Sequence, residues 1–315
     1  MRKKILLLII LLLPISLNAY SNKIIPGGEN IGIMVKEKGV TIIGFYNNEN
    51  SKLKIGDKII KVNEDSINTI DDLVKKIKDN VSNNMVNITY IRGSEEYNTD
   101  LKLKYIDGVY KTGLYVKDNI TGVGTLTYID PETKIFGSLG HEILNNNTKD
   151  KINVDEGYIF KSSVTSIRKS VDGNPGGKNA NFNQNIKYGN ITKNTNVGIY
   201  GTYDNIPNKD LMDVGTIDDI KLDDAYILTT LKDNKIRDFK IRIMKINKNS
   251  VNKNLYFKIT DNQLLKETGG IVQGMSGSPI IQNDKIIGAV THVVIDNVNT
   301  GYGVFITSML KEGEK

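Results

Sequence analysis

The segment Gly274-Met275-Ser276-Gly277-Ser278-Pro279 sets a serine between glycines just before an apolar strand, Ile280-Ile281, a turn at Asn283-Asp284, and a second strand from Lys285 to Thr291. A hydroxyl attacks a carbonyl carbon well only where the backbone exposes it and aims neighbouring N–H groups at the oxygen that becomes charged. Glycines at 274 and 277 permit such a turn. The nucleophile also needs a base, and the chain has two histidines, His141 and His292. His141 closes another strand, turn and strand pattern: Gly122 to Ile129, a turn at Asp130-Pro131-Glu132-Thr133, then Lys134 to His141. His292 follows Gly288-Ala289-Val290-Thr291 in an apolar strand, where a half-buried structural histidine is the expected role. The chemistry offered is acylation of Ser276 with His141 as general base. An ordinary Gly/Ser turn between buried strands is the competing reading of the hexapeptide alone.

A hairpin that delivers a histidine, followed much later by a glycine-flanked serine opening another hairpin, is similar to the chymotrypsin-like serine proteases. There the base and the nucleophile come from two β-barrels with the cleft between them. The match narrows along Thr268 to Gln282 and on through Gly288-Ala289-Val290-Thr291-His292-Val293 to Gly301-Tyr302-Gly303-Val304. With Gly122 to Pro131 and Leu139-Gly140-His141, this pattern resembles the SpoIVB family of sporulation peptidases over essentially the whole chain. The resemblance implies Ser276 as nucleophile, His141 as base and Asp261 as the triad carboxylate. In the broader class the orienting carboxylate lies between the base and the second barrel, so Asp150, Asp155 and Asp172 compete with Asp261. The expected oxyanion hole is the main-chain N–H pair of Gly274 and Ser276. Ser278 should face away from the cleft by strand alternation. Met275 stands where many trypsin-like enzymes have aspartate, which argues against a zymogen-style salt bridge, and Thr291 matches a position where the wider class sets a hydroxyl near the carboxylate.

The elements that must position these groups fall into two modules. Leu53-Lys54-Ile55-Gly56-Asp57-Lys58-Ile59-Ile60-Lys61-Val62-Asn63 carries the Gly-Asp turn and alternating strand of a PDZ domain. Apolar positions at 70, 73, 74 and 77 have the spacing of an amphipathic helix, with Thr69 or Asn68 as its cap. Residues 85–93 and 97–103 read as a closing hairpin. A PDZ domain receives an extended peptide on a sheet edge, and the expected edge is Ile31, Gly32 and Ile33. Beyond residue 108, alternating strands near 197–203, 225–230 and 239–246 suit antiparallel sheet, Ser170 to Lys178 reads as a loop, and the Asn-rich run after it as a mobile or turn-rich connection. The expected fold is mainly β, a small α+β PDZ domain over 21–107 followed by a chymotrypsin-like double β-barrel serine peptidase domain over 108–315.

Composition agrees with an exported protein of two modules. The chain has 315 residues, 39% of them apolar, and no cysteine, so no disulfide framework or thiolate metal site is expected. Neither a metal nor an organic cofactor is implied, because no ligand cluster surrounds either histidine. Half of the formal charge of +6 sits in Arg2, Lys3 and Lys4, so nucleic-acid binding is not indicated. Those basic residues precede the apolar run Ile5 to Leu17, shorter than the roughly twenty residues of a spanning helix, and Ala19 is a small residue for cleavage. Residues 1–20 therefore read as a signal peptide or a membrane tether. By resemblance, the expected enzyme is a serine endopeptidase that cuts itself and a regulatory membrane-associated protein in the space between forespore and mother cell. That cut triggers late mother-cell sigma factor activation. The expected partners are this protein substrate and a peptide ligand of the PDZ domain. The alternatives are a non-catalytic PDZ-containing binding protein on a degenerate protease scaffold and a general secreted serine protease.

Overall fold

Strands rich in β-branched residues, broken by Gly, Asn and Asp turns, dictate a mainly β chain. The computed structural model describes residues 20–46, 50, 52–145 and 149–315. β1 (Lys23–Pro26) and β2 (Asn30–Phe45) are followed by β3 (Lys58–Val62), β4 (Asp65–Ser66), helix α1 (Ile70–Asn80), β5 (Met85–Arg92), β6 (Glu95–Lys102) and the hairpin β7 (Lys104–Ile106) and β8 (Val109–Lys111). Next come β9 (Leu114–Ile129), β10 (Ile135–Ser138), β11 (Glu156–Arg168), β12 (Gly177–Thr195) and β13 (Gly198–Tyr203). The remainder is β14 (Met212–Val214), β15 (Asp224–Thr230), β16 (Ile236–Ile246), β17 (Leu255–Ile259), α2 (Asn262–Thr268), β18 (Pro279–Gln282), β19 (Lys285–Val293), β20 (Thr300–Phe305) and α3 (Ile306–Glu314).

Two closed barrels result. In the first, β9, β10, β13, β12, β11 and β2 pair in that order and β2 returns to β9, around Ile31, Ile33, Leu126, Phe136 and Ile159. In the second, β15, β16, β17, β20, β19 and β18 close back on β15, around Ile241, Phe257, Met275, Ile280 and Phe305. Short strands β1 and β14 pair with each other and link the barrels through β9 and β19. Between the barrels, Tyr128, Tyr200, Ile286 and Val304 pack against Met309 and Leu310 of α3. This is the double-barrel architecture expected from the sequence.

The PDZ module holds its own core of Val40, Ile42, Ile59, Leu73, Ile77, Ile88 and Leu101. Thr69 caps α1, its hydroxyl accepting from Asp72 N–H while the Asp72 carboxylate accepts from Thr69 N–H, a reciprocal capping box. The module does not simply precede the peptidase. Lys36 and Asn119 are paired neighbours in the first barrel, and the chain between them forms the PDZ module. The expectation for Ile31, Gly32 and Ile33 is corrected accordingly. They pair with Gly124, Val123 and Gly122 of β9 on one side and with Lys161, Phe160 and Ile159 of β11 on the other, so both edges of this segment are taken.

A second correction concerns the Asn-rich run, which is the long strand β12, paired with β11 and β13. Its side chains are largely exposed or half-buried, so it lacks the apolar alternation that marks a strand. The segment expected to be a signal peptide or anchor lies outside the described residues, Tyr20 excepted. Among the described residues no helix is long and apolar enough to cross a membrane.

Candidate active site

β9 of the first barrel grips the turn that precedes β18 of the second. Thr125 N–H donates to Ser276 O at 3.0 Å, Thr125 Oγ1 to Gly274 O at 2.7 Å and Thr127 Oγ1 to Gly277 O at 2.8 Å. Three carbonyls of the turn around Ser276 are thus fixed by buried donors of the other barrel. Gly277 has φ +92°, and a Cβ there would lie 2.0 Å from Thr125 O and 2.6 Å from Leu139 N. Only glycine fits this contact.

His141 arrives from the same junction. β10 ends at Ser138, whose hydroxyl donates to Thr125 O at 2.6 Å, and Leu139 and Gly140 turn the chain with φ of 68° and 71°. The buried Leu139 side chain anchors that turn. Ser276 and His141 then line one cleft of about 630 Å³ together with Gly274, Glu142, Thr291 and His292. Its remaining walls are mainly aliphatic, including Ile33, Ile120, Val123, Ile143, Ile271 and Val293.

His141 Nδ1 lies 2.7 Å from the Glu142 carbonyl. A carbonyl only accepts, so Nδ1 carries the proton and Nε2 keeps the lone pair of a base. Burial pushes the imidazole below its ordinary pKa, against the opposing effects of this hydrogen bond and the Glu142 charge. His141 is therefore neutral and basic at pH 7. The Ser276 hydroxyl donates to Thr291 O at 2.9 Å, so a main-chain carbonyl and not the imidazole holds its proton here. Catalytic hydrogen bonds are often unmade before substrate arrives. Among the described residues neither Gly274 N–H nor Ser276 N–H has a protein acceptor, whereas Gln273, Met275, Gly277 and Ser278 N–H groups all do. Two uncommitted donors flanking Met275 are what an oxyanion hole requires.

The carboxylates behave differently from expectation. Asp261 is the N-cap of α2, its Oδ1 accepting from Leu264 N–H at 2.8 Å and its Oδ2 from Lys240 N–H at 3.4 Å. It is not a wall of the cleft and makes no contact with His141. The sequence expectation of Asp261 beside the imidazole is corrected on that ground: the Thr260-Asp261 pair opens a helix, and the cap consumes the carboxylate. Asp172 accepts from Val298 N–H at 2.9 Å, Asp155 stands 3.9 Å from the Lys38 ammonium, and Asp150 lies in the loop beside Asn145. The carboxylates of Asp155 and Asp172 are thus engaged away from the His141 ring. The acid nearest in chemistry is Glu142, whose buried Oε2 has no hydrogen-bond partner among the described residues.

His292, expected to be structural, is a wall of the same cleft, with its ring centroid 5.2 Å from that of His141. Its pKa is pushed down to about 4, by burial first and then by His141 and Lys253. Thr291 does not face a carboxylate; its hydroxyl donates to Asn252 O at 3.0 Å and Tyr302 O at 3.2 Å. Ser278 is buried and is not a cleft residue, while Met275 is core. No signal in the sequence marked Glu142, because a lone acid after a histidine carries no pattern. Among the described residues no group of three or more His, Asp or Glu could hold a metal ion.

A family model described as SpoIVB peptidase S55 matches residues 108–310, and one described as PDZ domain matches residues 30–103. No curated protein matches the chain. Among solved structures, the PDZ domain of the SdrC-like protein from Listeria monocytogenes is 22% identical, covering 26% of this chain and 90% of its own, with a TM-score of 0.23. The active form of the Rv3671c protease from M. tuberculosis is 16% identical over 60% of this chain and 71% of its own, with a TM-score of 0.34. The HtrA-type protease AlgW with a decapeptide is 11% identical over 62% of this chain and 52% of its own, with a TM-score of 0.36.

Proposed function

The chain belongs to the SpoIVB peptidase S55 family of serine peptidases, and from that premise we propose that it is an exported endopeptidase acting on itself and on a regulatory membrane-associated protein. The site of action is the space between forespore and mother cell, and the cut triggers late mother-cell sigma factor activation. What supports the chemical part of this reading is one observation: two barrels bring His141 and Ser276 into a single cleft beside two uncommitted N–H donors. What supports export is the basic cluster Arg2 to Lys4 ahead of the run Ile5 to Leu17.

In this reading a peptide carbonyl enters the cleft and Ser276 Oγ attacks it while His141 Nε2 takes the proton. The N–H groups of Gly274 and Ser276 receive the oxyanion, and loss of one such donor typically costs roughly a hundred- to a thousandfold in rate. His141 then returns the proton to the leaving amine, and water repeats the cycle on the acyl-enzyme. The aliphatic walls favour apolar side chains of the substrate.

The PDZ module takes its peptide at a different place from the one expected from the sequence. A cavity of about 950 Å³ lies between Ile70, Leu73, Val74 and Ile77 of α1 and the start of β9 at Leu114 and Val116. Its charged lining residues are Lys78, Lys102, Lys104 and Lys111, which suits an apolar peptide ending in a carboxylate. The decisive experiment is Ser276→Ala in the full chain. Self-cleavage and hydrolysis of fluorescein-labelled casein should both vanish while the thermal midpoint is kept; undiminished hydrolysis in the purified variant rejects the reading.

A further inference from the structure

Lys178, at the start of β12, is only 6% exposed and is not a wall of the cleft. It is nevertheless built onto the nucleophile turn. Its N–H donates to Gln273 O at 2.9 Å, and Gln273 N–H donates to Gly176 O at 2.9 Å, a short parallel ladder leading into Gly274. Gly274 has φ +95°, and a Cβ there would stand 3.2–3.3 Å from Cβ, Cγ and Cδ of Lys178. The lysine stem therefore lies along the glycine whose N–H is an oxyanion donor. At its far end Nζ donates to Thr229 Oγ1 of β15 at 2.9 Å, and Thr229 is wholly buried.

No carboxylate meets this ammonium among the described residues. Thr229 faces it from β15, the Gln273 and Gly274 main chain lies along the turn, and Ile167 is its register partner on β11. The neighbouring Arg168 turns its guanidinium to Asn174 at 3.2 Å. A buried cation with one hydroxyl partner is costly to a fold. A methionine would fill the same volume without that cost.

We propose that Lys178 is a positioning residue for acyl transfer, its stem bracing Gly274 and its ammonium setting positive charge behind the oxyanion turn. The inference rests on the serine peptidase reading of Ser276. Burial brings the Lys178 pKa down to about 7, so the charge is present below neutrality and is lost as pH rises through that value. His141, itself depressed, must be neutral to act as base, which sets the acid limb below its ordinary 6.5. Turnover should then reach its maximum below pH 7 and fall on the alkaline side as Lys178 loses its proton.

The test is kcat and KM for fluorescein-labelled casein from pH 5 to 9, using full-length wild type, Ser276→Ala, Lys178→Met and Thr229→Val. Lys178→Met should lower kcat about tenfold at pH 6, keep KM within twofold and lose the alkaline limb. Thr229→Val, which keeps the lysine but removes its acceptor, should move the alkaline midpoint to lower pH, and it serves if Lys178→Met does not fold. An alkaline limb absent from wild type, or unmoved in Thr229→Val, overturns the proposal, as does a Lys178→Met enzyme with wild-type kcat. Wild-type hydrolysis that persists in Ser276→Ala would instead overturn the peptidase reading itself.

Discussion

His141 draws its tautomer from a main-chain carbonyl, and Asp261 spends its carboxylate on a helix. These two facts separate roles that the residue pattern alone merges. That Ser276 and His141 belong to one cleft was legible because a glycine-flanked serine turn and a histidine-bearing hairpin each leave a local signature of glycines and strand alternation. The orienting group was not, because an aspartate that caps a helix and one that holds an imidazole look identical in a sequence. The capping role makes a direct prediction. Asp261→Ala should lower stability by about 1 kcal/mol, the usual cost of losing an N-cap, whereas Asp261→Ser keeps a capping oxygen and most of that stability. Casein turnover by Asp261→Ser should stay within threefold of wild type. A loss of a hundredfold or more in that well-folded variant would return Asp261 to the catalytic centre.

Among the elements, β9 carries the most. Leu114 to Lys117 pairs with the PDZ half of β2, Gly122 to Thr125 closes the first barrel, and Thr125 to Thr127 holds the turn around Ser276. One strand thus runs from the α1-lined cavity of the PDZ module to the turn that carries Ser276. Sequence alone makes Ile31 to Ile33, just after Pro26-Gly27-Gly28, the expected PDZ edge. It could not reveal that β11, far along the chain, occupies the second edge. Pairing over such separations is tertiary information, and the same holds for the polar β12. At the groove the consequence is measurable. Val74 is 55% exposed on α1 and faces the cavity, so Val74→Glu should weaken an apolar carboxyl-terminal peptide at least tenfold by fluorescence anisotropy. The thermal midpoint should not move, since an exposed residue contributes little to the core. Unaltered affinity would place the peptide elsewhere.

At the scale of the whole molecule, the order of modules along the chain is not their order in space. Both family patterns were readable as adjacent blocks, PDZ first and peptidase second, because each has its own turn and strand signature. In the fold, the first half of β2 belongs to the first barrel and β1 helps link the two barrels, and the PDZ module is an insertion between Lys36 and Asn119. A fragment of residues 108–315 therefore lacks the strand that seals β9 to β11 and exposes both edges, together with the core positions of Ile31, Ile33 and Val35. It should show no cooperative thermal unfolding by circular dichroism and no Ser276-dependent hydrolysis. Excision of the insertion should succeed where truncation fails. Lys36 and Asn119 are antiparallel register partners, so a two-residue Asn-Gly turn can join them in place of residues 37–118. That shortened chain should unfold cooperatively and retain casein hydrolysis within tenfold of wild type, having lost the peptide groove but neither barrel. Cooperative unfolding and activity in the 108–315 fragment would show that the first barrel closes without β2, and the insertion would then be a matter of chain path alone.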